Sequence, residues 1–185
     1  RVVVVGNNGL LRFHPDGTLD VTFGTAGAVD ARADSIRSAV QREFREIGPG
    51  LLTDYLEIRD ARTDEDGKTI LLMQAAVGDS VGGYLPFYFL LRIDAVGRFD
   101  PSFGVNGNGI AAPDLAAIPL ESLAYAAGGV LAASTNGRLT AALDVRTLYG
   151  ASGGVLLWRI DGDGHPLSGA GLPALQMVPP VASNL

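Results

Sequence analysis

The sequence has no cysteine, only two histidines and a single tryptophan. Without thiols there is no disulfide framework, no thiolate chemistry and no cysteine metal site, while the compartment stays open, because cysteine-free chains occur both in the cytoplasm and outside bacterial cells. Basic runs are missing too. With a formal net charge of -6, the chain lacks the dense Lys/Arg surface that grips phosphates, and no nucleic-acid partner is expected. No apolar stretch reaches the roughly 20 residues of a membrane-spanning helix. The longest, around Tyr84–Leu91, contains Pro86, so a soluble chain with no membrane insertion is expected. No signal peptide is visible before the strand-like start at Arg1, and the chain reads as a processed or excised piece.

What is abundant is glycine, 25 of 185 residues, beside 47% hydrophobic and only 18% charged residues. That balance suits many short strands joined by tight turns around a real core. Self-similarity is the informative feature. Leu11-Arg12-Phe13-His14-Pro15-Asp16-Gly17-Thr18-Leu19-Asp20, continuing through Phe23-Gly24 to Gly27, recurs as Leu91-Arg92-Ile93-Asp94-Ala95-Val96-Gly97-Arg98-Phe99-Asp100 through Phe103-Gly104 to Gly107. Counted from the arginine, the turn glycine lies five on, the aspartate eight, the Phe-Gly pair eleven and twelve, and the last glycine fifteen. A third copy around Arg159 keeps Gly164 and Gly171 but carries Leu167 for the aspartate and Ala170 for the phenylalanine.

The arginines are separated by 80 and then 67 residues. The longer interval holds Asp34–Ile47, whose Ile36, Val40, Phe44 and Ile47 share one helical face, with Asp34 placed as cap and Gly48-Pro49-Gly50 as stop. Without those 14 residues the interval falls to 66, so the helix is an insert. Each copy is expected to begin with an apolar strand (Arg1–Val5, Lys68–Gln74, Gly129–Ser134). A variable loop, a strand carrying the arginine, a hairpin turn and a third strand leading to the Phe-Gly corner then follow. Asp16-Gly17 and Asp163-Gly164 are signals for a two-residue type I′ turn, and Val96-Gly97 is a weaker one. Further strands at Asp54–Arg59 and Leu120–Tyr125 make four per unit, the content of a propeller blade. The expectation is an all-β chain of about three four-stranded blades, near residues 1–33, 51–112 and 115–178, with a helical insert at 34–47.

On these residues the chain resembles the bacterial delta-60 repeat family, whose pattern is an aliphatic-Ala/Leu-Arg-Leu strand, an Asp-Gly turn, Leu-Asp and then Phe-Gly-x-x-Gly. Copies one and two carry it, and Lys68-Thr69-Ile70-Leu71-Leu72 after Asp66-Gly67 matches the family's second signature. The resemblance implies a β-propeller and a place in exported or surface bacterial proteins, and it implies no characterised reaction. The chain departs from the pattern in its degraded third copy, its insert and its blade count, since a closed propeller ordinarily needs about four blades or more. It is therefore expected to be part of a longer propeller or to close with another chain.

Opposite charges facing each other across a hairpin fix register, so Arg12 with Asp20 and Arg92 with Asp100 are read as structural pairs. Phe23 and Phe103, beside Gly24 and Gly104, are read as packing wedges, and Gly17, Gly97 and Gly164 as turn positions. Arg159 is the equivalent point in the third copy. Gly78-Asp79-Ser80-Val81-Gly82 and Gly150-Ala151-Ser152-Gly153-Gly154 both satisfy G-x-S-x-G. A nucleophile elbow needs a strand entering a helix, whereas these are loops within hairpins, and His14 and His165 lie at turns without a general-base motif. Asp161-Gly162-Asp163-Gly164 and Asp64-Glu65-Asp66-Gly67 resemble the start of a calcium loop, yet Leu172 and Ala75 stand where the closing glutamate belongs. Acidic turns are the preferred reading. No zinc or nucleotide motif is present, and no cofactor is expected.

The helix presents Arg37, Arg42, Glu43, Arg45 and Glu46 on its polar face, which suits solvent, with the apolar stripe on a blade. That stripe, or the aromatic run Tyr84, Phe87, Tyr88 and Phe89, is the alternative partner contact, strand alternation being expected to bury some of these rings and expose the others. The chain is therefore expected to be a non-enzymatic scaffold of an exported bacterial protein, contacting a protein or glycan partner or associating with itself through blade edges. A fibre or surface-layer subunit, and a hydrolase with its site at a propeller channel, are the alternatives.

Overall fold

A computed structural model of the chain describes residues 1–45, 51–78, 84–114, 125–133, 138–146, 152–168 and 173–180. Sheet 1 comprises β1 (Val2–Gly6), β2 (Gly9–Phe13) and β3 (Ala28–Asp30), and the helix α1 (Asp34–Glu43) follows it. Sheet 2 comprises β4 (Leu51–Thr63), β5 (Thr69–Gly78), β6 (Tyr84–Ile93) and β7 (Ile110–Ala111). Sheet 3 comprises β8 (Tyr125–Ala133), β9 (Leu139–Arg146), β10 (Ser152–Ile160) and β11 (Leu175–Val178). Every strand pairs antiparallel with the next one in its sheet, so each sheet is a meander. The chain is mostly β, as the composition implies.

The sheets face one another across two apolar layers. Leu10, Phe23 and Val29 of the first repeat meet Leu71, Met73, Phe89, Leu91 and Ile93 of sheet 2. On the other side Leu72, Tyr88 and Leu90 meet Leu131, Ala141, Leu143, Trp158 and Ile160 of sheet 3. Sheet 2 is thus covered on both faces, which is why β6 is a nearly unbroken apolar run rather than an alternation. β9 alternates, with Leu139, Ala141, Leu143 and Val145 buried and the residues between them half-buried. Burial of each such Leu or Val contributes about 1.5–3 kcal/mol.

Several expectations change. β9 was not anticipated: of the expected strand Gly129–Ser134 the described part, as far as Ala133, belongs with β8, the first strand of sheet 3, while Ser134 lies outside the described residues, and the partner of the arginine strand is Leu139–Arg146. No third strand runs into the Phe-Gly corner. Single bridges, Phe13 to Leu19 and Ile93 to Phe99, stand there instead, and β3 and β7 come after the corner. Sheet 1 has three strands rather than four. The turns are not type I′, because only the glycine in each has positive φ, 83° at Gly17 and 85° at Gly164. They are longer hairpin turns closed by a left-handed glycine.

The helix starts as placed but is capped at Ala33, with Asp34 the first helical residue, where its charge complements the helix dipole. Its C-cap is Phe44; Ile47 and Gly48-Pro49-Gly50 lie outside the described residues. Ile36, Ala39 and Val40 are buried in the first layer, and the Phe44 ring meets Phe87 at 4.9 Å and Phe89 at 5.4 Å. The described part of the apolar stripe, Ile36, Val40 and Phe44, therefore packs inside the molecule. The Asn106 side chain reaches Glu43 at 3.3 Å and Asn108 also donates to it, tying the helix end to the second repeat. Alternation does not expose Tyr88 either: sheet 3 covers it and Gln74 accepts its hydroxyl at 2.9 Å.

Candidate functional site

The residues that recur in sequence converge on one construction, a buried arginine corner built twice. In each repeat the strand bearing the arginine enters a tight turn in which the glycine amide returns to the turn's first carbonyl, Gly17 to His14 at 3.0 Å and Gly97 to Asp94 at 3.0 Å. The chain then doubles back, so that the aspartate amide meets the arginine's own carbonyl, Asp20 to Arg12 at 2.8 Å and Asp100 to Arg92 at 2.9 Å. That register brings the side chains together. Arg12 Nε donates to Asp20 Oδ2 at 2.9 Å and Arg92 Nε to Asp100 Oδ2 at 2.8 Å. The second carboxylate oxygen accepts from the amide and hydroxyl of Thr22 in one corner and of Ser102 in the other. The guanidinium lies over Phe23, 4.3 Å from the ring centre, or over Phe103 at 5.2 Å.

Both arginines are almost wholly buried, 5% exposed for Arg12 and 3% for Arg92. A charge so placed is tolerated only when paired and hydrogen-bonded. The Asp20 carboxyl is lowered to about 2, first by the Thr22 hydroxyl and then by the Thr22 amide and the Arg12 charge, against the opposing effect of burial. At Asp100 burial pushes the carboxyl up, and the Ser102 bonds together with Arg92 outweigh it, leaving it below the ordinary value.

Each corner also reaches across to the next sheet. Arg12 Nη1 donates to the carbonyl of Ala95, and Arg92 Nη1 to that of Gly162 at 2.7 Å. Both acceptors lie three residues after the following arginine. Gly24 donates to the Val96 carbonyl at 2.8 Å and Gly104 to the Asp163 carbonyl at 2.8 Å, again equivalent positions. Glycine is required on the receiving side because a Cβ on Gly97 would stand 2.3 Å from the Gly24 nitrogen, and one on Gly164 would stand 2.9 Å from that of Gly104. The same atoms in the same roles join sheet 1 to sheet 2 and sheet 2 to sheet 3.

The third arginine behaves differently. Arg159 keeps the local backbone, since Leu167 donates to its carbonyl at 2.9 Å. With no aspartate in the corner, its guanidinium turns to the Pro173 carbonyl at 2.9 Å and the Gln176 side chain at 3.1 Å within its own sheet.

The acidic turns are occupied by the backbone. Asp161 Oδ1 accepts the amides of Asp163 and His165, Asp163 Oδ1 takes Arg92 Nη1 at 2.9 Å, and Asp64 Oδ1 accepts the Lys68 amide. Among the described residues no group of three or more His, Asp or Glu is placed to hold a metal ion. His14 lies 3.7 Å from Asp20 and His165 lies 3.3 Å from Asp161, both half-exposed at turns. Ser152 opens β10 opposite Arg146, and Ser80 lies outside the described residues. An open depression of about 550 Å³ lies between the first corner, the start of α1 and the second turn, lined by Gly24, Ser35, Ile36, Arg98, Phe99 and Pro101. Among the described residues no helix is long and apolar enough to cross a membrane.

No family model, curated protein or solved structure matches the chain.

Sequence reasoning pairs Arg12 with Asp20 and Arg92 with Asp100, reads Phe23 and Phe103 as packing residues and Gly17 and Gly97 as turn positions, and misses the hydroxyl residues and the carbonyls reached across the sheets. Thr22 and Ser102 were detectable, as hydroxyl residues at offset ten in both good copies. The carbonyls at Ala95, Val96, Gly162 and Asp163 leave no mark on side-chain identity, so nothing in the sequence names them.

Proposed function

We propose that the chain is a non-enzymatic scaffold, its stacked sheets being propeller-type blades of the delta-60 repeat kind, serving an exported bacterial protein by binding a protein or glycan partner or by self-assembly. The observation that carries this reading is the doubled latch. The most distinctive side chains of the sequence, Arg12, Asp20, Phe23 and their counterparts Arg92, Asp100, Phe103, are buried except for a partly buried Asp100, and are engaged in the corners whose arginines join one sheet to the next. Side chains used identically at successive interfaces serve architecture, and function on such scaffolds lives in the loops and faces that architecture holds in place. The latch also favours repetition, because a sheet that both donates and accepts the same contacts can be followed by another.

Two measurements test the proposal. Electron-microscopic imaging of the native particle is expected to reveal wedge-like sheets arranged about one axis, and a two-sheet sandwich would refute the blade reading. A fluorophosphonate probe is expected to leave Ser80 and Ser152 unlabelled while a glycan or protein array returns a ligand; covalent labelling of either serine favours the hydrolase reading instead.

A further inference from the structure

Three Asn-Gly pairs lie among the described residues, Asn8-Gly9, Asn106-Gly107 and Asn108-Gly109, while Asn136-Gly137 lies outside them. Asparagine followed by glycine is the pairing most open to attack on the side-chain amide by the next backbone nitrogen, because glycine has no Cβ to obstruct the approach and its backbone bends freely. The fold treats the three pairs differently. Gly9 pairs with Gly6 in the β1–β2 ladder and is pressed against the Val29 carbonyl, where a Cβ would stand 2.3 Å from the oxygen. Gly109 is buried, its amide donates to the Phe103 carbonyl at 2.9 Å, and the Phe99 ring fills the space beside it. The Asn108 side chain is held at both ends, its oxygen accepting the Ile110 amide at 3.1 Å and its nitrogen donating to Glu43. Asn106 and Gly107, by contrast, are both exposed, and a Cβ on Gly107 meets nothing within 4 Å. Among the described residues the attacking nitrogen is restrained only by a turn bond, from the Gly107 amide to the Gly104 carbonyl at 3.1 Å.

What Asn106 touches gives this chemistry a consequence. Glu43 is the last residue of α1, where a negative charge opposes the helix dipole. Among the described residues the partners of its carboxylate are two side-chain amides, Asn106 at 3.3 and 3.5 Å from the two oxygens, and Asn108. The next residue, Phe44, packs on Phe87 and Phe89. The repeat itself does not call for asparagine at these positions, since their equivalents in the first repeat are Ala26 and Ala28. The two amides are therefore particular to the repeat on which the helix end rests.

We propose that Asn106 is a site of spontaneous deamidation that releases the end of α1. The Gly107 nitrogen gives up its proton and bonds to Cγ of Asn106; the Cγ–Nδ2 bond breaks, and the side-chain nitrogen leaves with that proton as ammonia. Water then opens the cyclic imide at either carbonyl, leaving aspartate or isoaspartate. An amide that donated to Glu43 is thereby replaced by a second carboxylate, and two like charges at that separation repel. Isoaspartate also lengthens the main chain of the loop. The product holds the helix end and Phe44 more loosely, and because the overall change runs one way, the fraction released records the age of the protein.

Peptide mapping by mass spectrometry tests the site, on the full chain aged at mildly alkaline pH both in native buffer and in urea. In native buffer Asn106 is expected to convert to aspartate and isoaspartate at least several-fold faster than Asn8 and Asn108, and in urea the three are expected to convert at similar rates. Native conversion of Asn106 no faster than that of the other two overturns the assignment, and the same preference in urea overturns its origin in the fold. Hydrogen exchange of the α1 amides tests the consequence. Asn106→Asp is expected to speed exchange in the last turn of α1 several-fold, and Glu43→Gln in the same chain to restore it. Exchange in Asn106→Asp equal to that of the wild type, or unrelieved by Glu43→Gln, overturns the release of the helix end.

Discussion

Replacing Arg92 with leucine removes one side chain from the junction of sheets 2 and 3. The guanidinium contacts Asp100 at 2.8 Å, Gly162 at 2.7 Å, Asp163 at 2.9 Å and Ser102 at 3.1 Å. Asp163 is 67% exposed and that end is screened by solvent, but Asp100 is only 13% exposed. Removing one partner of a buried pair costs about 3–5 kcal/mol, and the solvated end places this case near the bottom of the range, at about 3 kcal/mol. For a chain of this size the melting temperature then falls by about 6–12 °C. Urea unfolding followed by Trp158 fluorescence supplies the measurement, with Arg159→Leu as the internal reference. Among the described residues that arginine bonds only within its own sheet, and its loss is expected to cost less than about 1 kcal/mol. Replacing Arg92 and Asp100 together with leucine is expected to recover part of the loss, since no unpaired carboxylate is then left behind. The affinity of any ligand found on the scaffold is expected to survive Arg92→Leu apart from the loss of folded protein. The reasoning is refuted by Arg92→Leu and Arg159→Leu having equal effects, or by a selective loss of binding at full stability.

Gly17 and Gly97 share a positive φ but differ in surroundings, so Gly17→Ala is expected to cost about 1–2 kcal/mol of backbone strain. Gly97→Ala is expected to exceed it by about 1–3 kcal/mol from the clash with Gly24, and equal losses in urea titrations would contradict the inter-sheet contact. Phe103→Ala is expected to cost about 3–5 kcal/mol, as a wholly buried aromatic lost from the second layer; thermal melts followed by circular dichroism measure this. Acid should weaken the first corner in a defined window. The folded carboxyl of Asp20 is depressed to about 2 from 3.8, so its contribution is fully present above about pH 4 and is lost as pH falls through about 2. Asp20→Asn is expected to flatten stability against pH in that window, and an unchanged acid limb in urea titrations would contradict the assignment.

The repeat and its β character were legible because backbone demands select residue types. A left-handed turn position selects glycine at Gly17, Gly97 and Gly164, and a two-sided sheet selects the apolar run Leu85–Leu91. β9 escaped notice because its buried residues include Ala141, whose small side chain weakens the alternation with Leu139, Leu143 and Val145. The turn class escaped because Asp-Gly is compatible with two hairpin geometries, and only the φ of the residue before the glycine separates them. The largest miss, the latch between sheets, is carried on one side by peptide carbonyls, which every residue possesses. Its complement was visible throughout as the invariant spacing from arginine to Phe-Gly, which local hairpin pairing explains only as far as the aspartate.

The central claim is that sheets are joined by one repeated set of backbone contacts, and scalar couplings across hydrogen bonds measure those contacts directly. In a long-range amide-to-carbonyl NMR experiment the Gly24 amide is predicted to correlate with the Val96 carbonyl, and the Gly104 amide with the Asp163 carbonyl. Correlations of those amides with carbonyls of their own sheets, or exchange with solvent as fast as in an open loop, would contradict the account.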